Sequence, residues 1–211
     1  MADAMPQGGE QVRAPALAVG LPARALRYAL WSIEGARERL RGAWLTVVIR
    51  ACGGTCGARL RAGPGAGFRR PPGPGVRLGD DIYLGPHTQI DVLAGARLDI
   101  GDGSWFTGFD VISSAQAVEV GANALVAEMV SIRDADHGTT LGQPIAAQPM
   151  RSDPIRIGAD TWLARGVAVL RGSDIGQGAV IGANSVVRGQ IPPHAVAVGA
   201  PARVVGSRKP P

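Results

Sequence analysis

An aliphatic residue recurs every six positions over much of this chain, and that period restricts the fold more than any other feature. The runs are Leu78, Leu84, Ile90; Ile100, Phe106, Ile112; Val120, Val126, Ile132; and Ile157, Leu163, Val169, Ile175, Ile181, Val187, the last unbroken. The next position is often Gly or Ala, as at Gly85, Gly121, Gly158 and Gly182. The fourth position after the aliphatic residue is small or β-branched, as at Thr88, Ser104, Val130 and Ser185. An α-helix would repeat at about 3.6 and a flat strand at 2. Six is a multiple of two, so an extended chain keeps every marked residue on one face. A bend after each six then closes a three-sided coil, whose successive turns stack as parallel strands about 4.8 Å apart. Each aliphatic residue enters a layer of like residues, which leaves little room for rings. The 4% aromatic content beside 45% hydrophobic residues agrees. The period predicts an all-β solenoid of hexapeptide repeats.

Other segments lack the period. Residues 1–21 are polar, contain Gly and Pro, and read as a disordered leader. Residues 22–51 predict an α-helix: Pro22 suits a first turn, and Gly53-Gly54 ends it. Leu26, Leu30, Ile33, Leu40 and Leu45 with Trp31 and Trp44 form its apolar stripe, set against Arg24, Arg27, Glu34, Arg37, Glu38 and Arg41. The stripe is expected to pack on the rest of the protein, with peripheral contact to an anionic membrane as the other reading. Residues 52–77 are dense in Gly and Pro and read as a linker or an irregular first coil. The solenoid is expected over 78–205 and a tail over 206–211. Between Ile132 and Ile157 the register breaks. A loop extruded over 133–154 carries Asp134, Asp136 and His137, and loops that interrupt a regular scaffold tend to carry function.

The formal charge of +5 suits an anionic ligand. The basic residues form no aromatic-interleaved stripe, which argues against nucleic acid. Cys52 and Cys56 have neither zinc nor redox spacing and read as plain thiols. The three histidines, His87, His137 and His194, are scattered, so no metal site is expected. The start lacks a basic stretch followed by an apolar run, and no apolar run is long enough to span a bilayer. A cytoplasmic location, or one at the membrane surface, follows as the expectation.

Several segments read together: 155–163, the repeats through Ile181-Gly182-Ala183-Asn184-Ser185-Val186-Val187, Ile191-Pro192-Pro193, and Pro201-Ala202-Arg203-Val204-Val205. With Asp134-Ala135-Asp136-His137-Gly138 they resemble the maltose, galactoside and xenobiotic O-acetyltransferases, and the sugar O-acetyltransferases of polysaccharide pathways. The resemblance covers roughly 78–205. It implies a left-handed parallel β-helix and a homotrimer. It also implies acetyl-CoA, or another short acyl-CoA, as donor in a groove between two prisms.

His137 falls on the position of that family's general base. A hydroxyl is a poor nucleophile near neutral pH, and an imidazole, which ordinarily titrates near about 6.5, can take its proton. Asp134 or Asp136 is expected to fix the imidazole's tautomer. The resemblance sets the donor against the main chain at Arg165 and Ala183, with Trp162 as a wall of its pocket and Arg188 and Arg203 facing phosphate. Galactoside-type members carry an asparagine near the acceptor. Here Thr107 stands at that position with Asp110 as the nearest charge, so these two are the acceptor candidates and maltose or galactoside does not carry over. The implied activity is CoA-dependent acyl transfer to a hydroxyl of a sugar, polysaccharide, glycolipid or related small molecule. N-acyl transfer to an amino sugar or antibiotic, and a non-catalytic binding scaffold, stay open.

Overall fold

The computed structural model describes residues 21–209. The leader expected over 1–21 therefore lies, but for Leu21, outside the described residues. The chain divides into two compact units, 1–35 and 36–211, and the second holds the solenoid.

Three sheets of seven, eight and six strands build the solenoid, and consecutive strands pass to different sheets in rotation. The first face runs from Thr55–Cys56 to Gln190–Ile191, the second from Arg61–Ala62 to Ala195–Val198, and the third from Gly67–Phe68 to Val186–Val187. Each strand pairs in parallel with the strand one turn away. On the first face Leu78, Ile100, Val120, Ile157, Ile175 and Ile191 are successive register partners. On the second they are Leu84, Phe106, Val126, Leu163 and Ile181. On the third they are Ile90, Ile112, Ile132, Val169 and Val187. All are buried, and withdrawing a side chain of this size from water stabilises the fold by about 1.5–3 kcal/mol. The six-residue period and the parallel β-helix are one arrangement seen in sequence and in space.

The bends fall three residues after each inward side chain. Asn123, Asn184 and Gly166 hold φ of 57°, 57° and 70° there, in the left-handed region that Gly and Asn enter most readily. The small residue one place after the inward side chain does something else. A Cβ on Gly121 or Gly158 would overlap backbone atoms of the next turn, so these positions are small because turns approach closely, not because the chain bends there.

Winding begins at Thr55 rather than near Leu78. Within 52–77, Thr55 pairs with Arg77, Arg61 with Tyr83 and Gly67 with Gln89. Cys56, Ala62 and Phe68 continue the six-residue spacing, but the first two are not the large aliphatics that mark the period. The helix α1, Leu21–Ala51, closes this end. Its residue Ile49 is buried in the core, with Leu45 packed beside it. Gly42 sits so close that a Cβ would overlap the Leu60 carbonyl. The first turn has no earlier turn to take its carbonyls. Arg50 donates to the Cys56 carbonyl at 2.6 Å and Arg41 to that of Ala62 at 3.4 Å, covering an edge that would otherwise invite another strand. The expected apolar stripe of α1 does not pack as a whole: Leu45 faces the core, whereas Leu40 and Trp44 are exposed. At the other end Arg203–Ser207 pairs antiparallel with Ala195–Val198, so the expected tail starts inside a strand.

Candidate active site

The loop leaves the third face after Ser131–Arg133 and rejoins the first at Ile155–Ile157. Its stem is an antiparallel pair, Ala135–His137 with Met150–Ser152, in which His137 stands opposite Met150. The base closes where the Asp153 N–H donates to the Asp134 carbonyl at 3.0 Å and the Gly172 N–H to the Asp153 carbonyl at 3.1 Å. Toward the tip, the buried Gln148 side chain accepts from the Thr140 N–H at 2.8 Å. It donates to the Thr140 and Gln143 carbonyls at 2.9 and 3.0 Å. The His137 ring is exposed, and it takes no hydrogen-bond partner among the described residues.

Neither neighbouring carboxylate orients that ring. The Asp134 side chain is fully buried and accepts from the N–H groups of Ala115, Gln116 and Ala117 at 2.7–2.8 Å, and from the Ser114 hydroxyl at 3.3 Å. Burying a carboxylate is costly unless several donors meet it, and this corner of the preceding turn supplies four. Strand alternation from the inward Ile132 would have pointed to this: Arg133 faces out and Asp134 in. Asp136 is adjacent to His137 in an extended strand, so the two project to opposite sides. Its carboxylate accepts from Arg171 Nε at 2.8 Å, and the same guanidinium pairs with Asp153. Arg171, on the turn after the loop, thus fastens both strands of the stem to the solenoid. The three carboxylates crowded at the loop base were the only sequence sign that a cation must come from elsewhere.

The remaining candidates divide between the two edges of the third face. Thr107, Arg165 and Ala183 lie at the corner between the second and third faces, Arg165 and Ala183 on successive turns and Thr107 two turns before Arg165, and all are exposed. Arg165 pairs with Glu128 at 3.2 Å and donates to Met129 Sδ at 3.4 Å. Arg203 reaches the same corner, since it is opposite Val198 and the next-door Ala202 N–H donates to the Val186 carbonyl. Trp162, half exposed, lies on the second face between Leu125 and Val180. Arg188 stands at the other edge of the third face, where the His137 loop also emerges. The extended stretch from Ser185 to Arg188 separates the edges by about 10 Å. Asp110 is not an acceptor-facing group. Only 1% of it is exposed, and it accepts from the Gly108 and Val130 N–H groups at 3.1 and 3.0 Å. Burial pushes its carboxyl up to about 7 against the pull of those amides.

The chemistry of these groups is compatible with a phosphate-bearing donor. Arg203 engages only the Ala202 carbonyl among the described residues, which leaves guanidinium donors for phosphate. The corner at Ala183 presents main chain behind a single methyl. Among the described residues, no cluster of three or more His, Cys, Asp or Glu side chains could hold a metal ion.

The family model for bacterial transferase hexapeptide (six repeats) matches residues 154–189. A probable acetyltransferase of Mycobacterium tuberculosis is 38% identical over 135 residues, 64% of this chain but 45% of that protein. The Escherichia coli K12 protein WbbJ, assigned to O-acetyl transfer in lipopolysaccharide biosynthesis, is 33% identical over 138 residues, 62% of this chain and 70% of its own. Among solved structures, a hexapeptide-repeat acetyltransferase of Vibrio cholerae complexed with acetyl coenzyme A shares the fold. Its TM-score is 0.59 at 22% identity, covering 91% of this chain and 92% of that one. With six-residue winding, a matching repeat model and a relative covered over most of its length, the chain belongs to the bacterial hexapeptide-repeat transferase family.

Proposed function

We propose that this protein transfers a short acyl group, acetyl in the first instance, from coenzyme A to a hydroxyl of a sugar, polysaccharide or glycolipid. The observation that carries the reading is His137: an unpartnered, exposed imidazole on the one hairpin that interrupts the described solenoid, fastened at its base by Arg171. The acetyl-CoA in the Vibrio structure and the lipopolysaccharide assignment of the E. coli relative support the donor and acceptor classes. In this reading His137 takes the acceptor's proton as its oxygen attacks the thioester carbonyl. The C–S bond breaks, and the proton passes to the departing thiolate. Arg203 and Arg188 hold phosphate, Trp162 and the main chain at Arg165 and Ala183 line the path of the pantetheine arm, and Thr107 meets the acceptor. A coenzyme A thioester as donor implies action in the cytoplasm.

The site is completed by a second copy of the chain, most simply in a closed trimer. His137 and the Thr107–Ala183 corner lie on opposite edges of one face, and a neighbour's loop can reach the corner that this chain's loop does not. The exposed apolar side chains Phe109, Leu125, Met129 and Trp162 mark the surface such a neighbour covers.

Turnover of acetyl-CoA with a panel of glycan acceptors tests the proposal. His137→Ala should lower kcat by about 10²–10⁴-fold with unchanged folding. An alanine variant as fast as the parent rejects the base, and a monomeric mass at assay concentration rejects the shared site. Release of the product's acyl group by mild alkali, which cleaves an ester and spares an amide, decides against N-acyl transfer.

A further inference from the structure

The helix α1 carries an apolar face that the solenoid does not use. Within the solenoid unit, Leu40, Trp44 and Val47 recur at helical spacing on one side and are exposed by 71%, 66% and 59%. Before residue 36, Leu26, Leu30 and Ile33 share a side in the same way, exposed by 60%, 57% and 49%. The face that packs on the solenoid is another one, through Gly42, Leu45 and Ile49. Large exposed apolar stripes on a folded protein mark a surface with a partner.

Charge says which partner. The helix holds six arginines and two glutamates, net +4 of the chain's +5. Within the solenoid unit the one acid of the helix avoids the exposed stripe: Glu38 projects on the other side and accepts the Tyr83 hydroxyl at 3.0 Å, whereas Arg37 projects within the stripe. Arg39 stands to one side of the stripe, while Arg41 and Arg50 are held on the Ala62 and Cys56 carbonyls. Trp44 adds to the stripe a ring suited to the boundary between headgroups and acyl chains. Two such helices facing each other would oppose like charge, whereas an anionic surface neutralises it. No helix among the described residues is long and apolar enough to cross a membrane, so the helix would lie in the interface rather than span it. We infer that α1 docks this protein on an anionic lipid bilayer, with Leu40, Trp44 and Val47 inserted among the acyl chains and its arginines on lipid phosphate. This inference stands apart from the acyl-transfer proposal, since lipid binding needs no turnover.

The test is co-sedimentation of the full chain with vesicles of phosphatidylglycerol in phosphatidylcholine, against vesicles of phosphatidylcholine alone. Binding to the anionic vesicles only, weakened by salt and accompanied by a blue shift of tryptophan emission, is expected. Trp44→Phe should remove the shift but keep the binding. Arg24→Glu, Arg27→Glu and Arg39→Glu together should weaken binding at least about a hundredfold, at about fivefold or more per arginine. Leu40→Ser with Trp44→Ser should weaken it by at least about tenfold. Both sets lie on exposed positions, and an unchanged thermal midpoint shows that they fold. Equal binding to neutral vesicles overturns the inference, as does no binding to either kind. Loss of the oligomer in Leu40→Ser with Trp44→Ser, while the parent ignores lipid, assigns the stripe to contact between copies and equally overturns it.

Discussion

The solenoid and its loop are built on opposite terms. In the solenoid, three columns of largely aliphatic side chains are withdrawn from water, with small buried polar residues such as Ser104, Thr161 and Ser185 beside them at the bends. In the loop, Leu141, Ile145 and Met150 are exposed by 96%, 58% and 49%, and only Gly138 and Gln148 are buried between Ala135 and Pro154. What fixes it is polar: the Asp134 corner, the Gln148 bonds and the Arg171 clamp. Stability therefore resides where the repeat is kept and reactivity where it is broken. A base must meet water and substrate, and a side chain in the columns can meet neither. Segments held by a few polar contacts also open locally at lower cost than a packed core.

The largest effect separating the two regions should come from the columns. Leu163→Ala should cost about 2–5 kcal/mol in urea unfolding, whereas Leu141→Ala in the loop should stay within about 0.5 kcal/mol. Equal effects would erase the distinction. Next comes Asp134, which belongs to both regions. Asp134→Ala leaves three N–H groups of 115–117 without their acceptor and should cost about 1–3 kcal/mol. Asp134→Asn, which keeps one accepting oxygen, should cost less. If Asp134→Ala instead abolished turnover without destabilising the fold, the carboxylate would act on His137 after all.

This split also explains what could be read from the sequence. Six-residue spacing is a property of side chains that share one environment turn after turn, so Ile157 through Val187 declare the solenoid and Ile132 marks its interruption. The first turn was hidden because Cys56 and Ala62 are small where α1 closes the end, and because Gly63 through Gly75 have the composition of a linker. His137 was legible as a polar residue at a break. Its surroundings were not, because they are long-range: Asp134 bonds to amides almost twenty residues earlier, and Asp136 to Arg171 on the following turn. Proximity in sequence suggested that these carboxylates serve the imidazole, and strand alternation sends both away from it. Asp110 was read as an outward group by its charge, although it occupies the small-residue position four after Phe106, which faces inward.

Asp110 sharpens the comparison from inside the solenoid. It has two amide donors where Asp134 has three amides and a hydroxyl, and the buried Thr88 hydroxyl faces it. Its folded-state value is raised from the usual carboxylate range near 4 to about 7. A raised value means that the folded chain keeps a proton the unfolded chain has lost. The contribution is complete below about pH 4 and disappears as pH climbs through about 7, so stability should decline by about 1 kcal/mol per pH unit across that window. Asp110→Asn, which mimics the neutral acid, should flatten the decline in thermal midpoint against pH. An unchanged slope in the variant assigns the decline to other groups.

The smallest expected stability change, and the most telling one for the loop, is at Arg171. Its contacts to Asp136 and Asp153 lie near the surface, with both carboxylate side chains more than half exposed, and pairs of that kind are worth at most about 1 kcal/mol each. Arg171→Gln should therefore barely move the urea midpoint. The clamp nevertheless joins both strands of the stem to the solenoid, so its loss should appear as faster hydrogen exchange at 135–137 and 150–152. Turnover should fall by about tenfold while KM for acetyl-CoA holds, because a base displaced by an ångström loses most of its effect. Lysine at this position keeps the charge but not the fork that reaches two carboxylates at once, so Arg171→Lys should recover only part of the rate. If glutamine matches arginine in both exchange and turnover, the loop is held by its backbone and by Gln148 alone, and the polar fastening that distinguishes it from the solenoid loses its principal support.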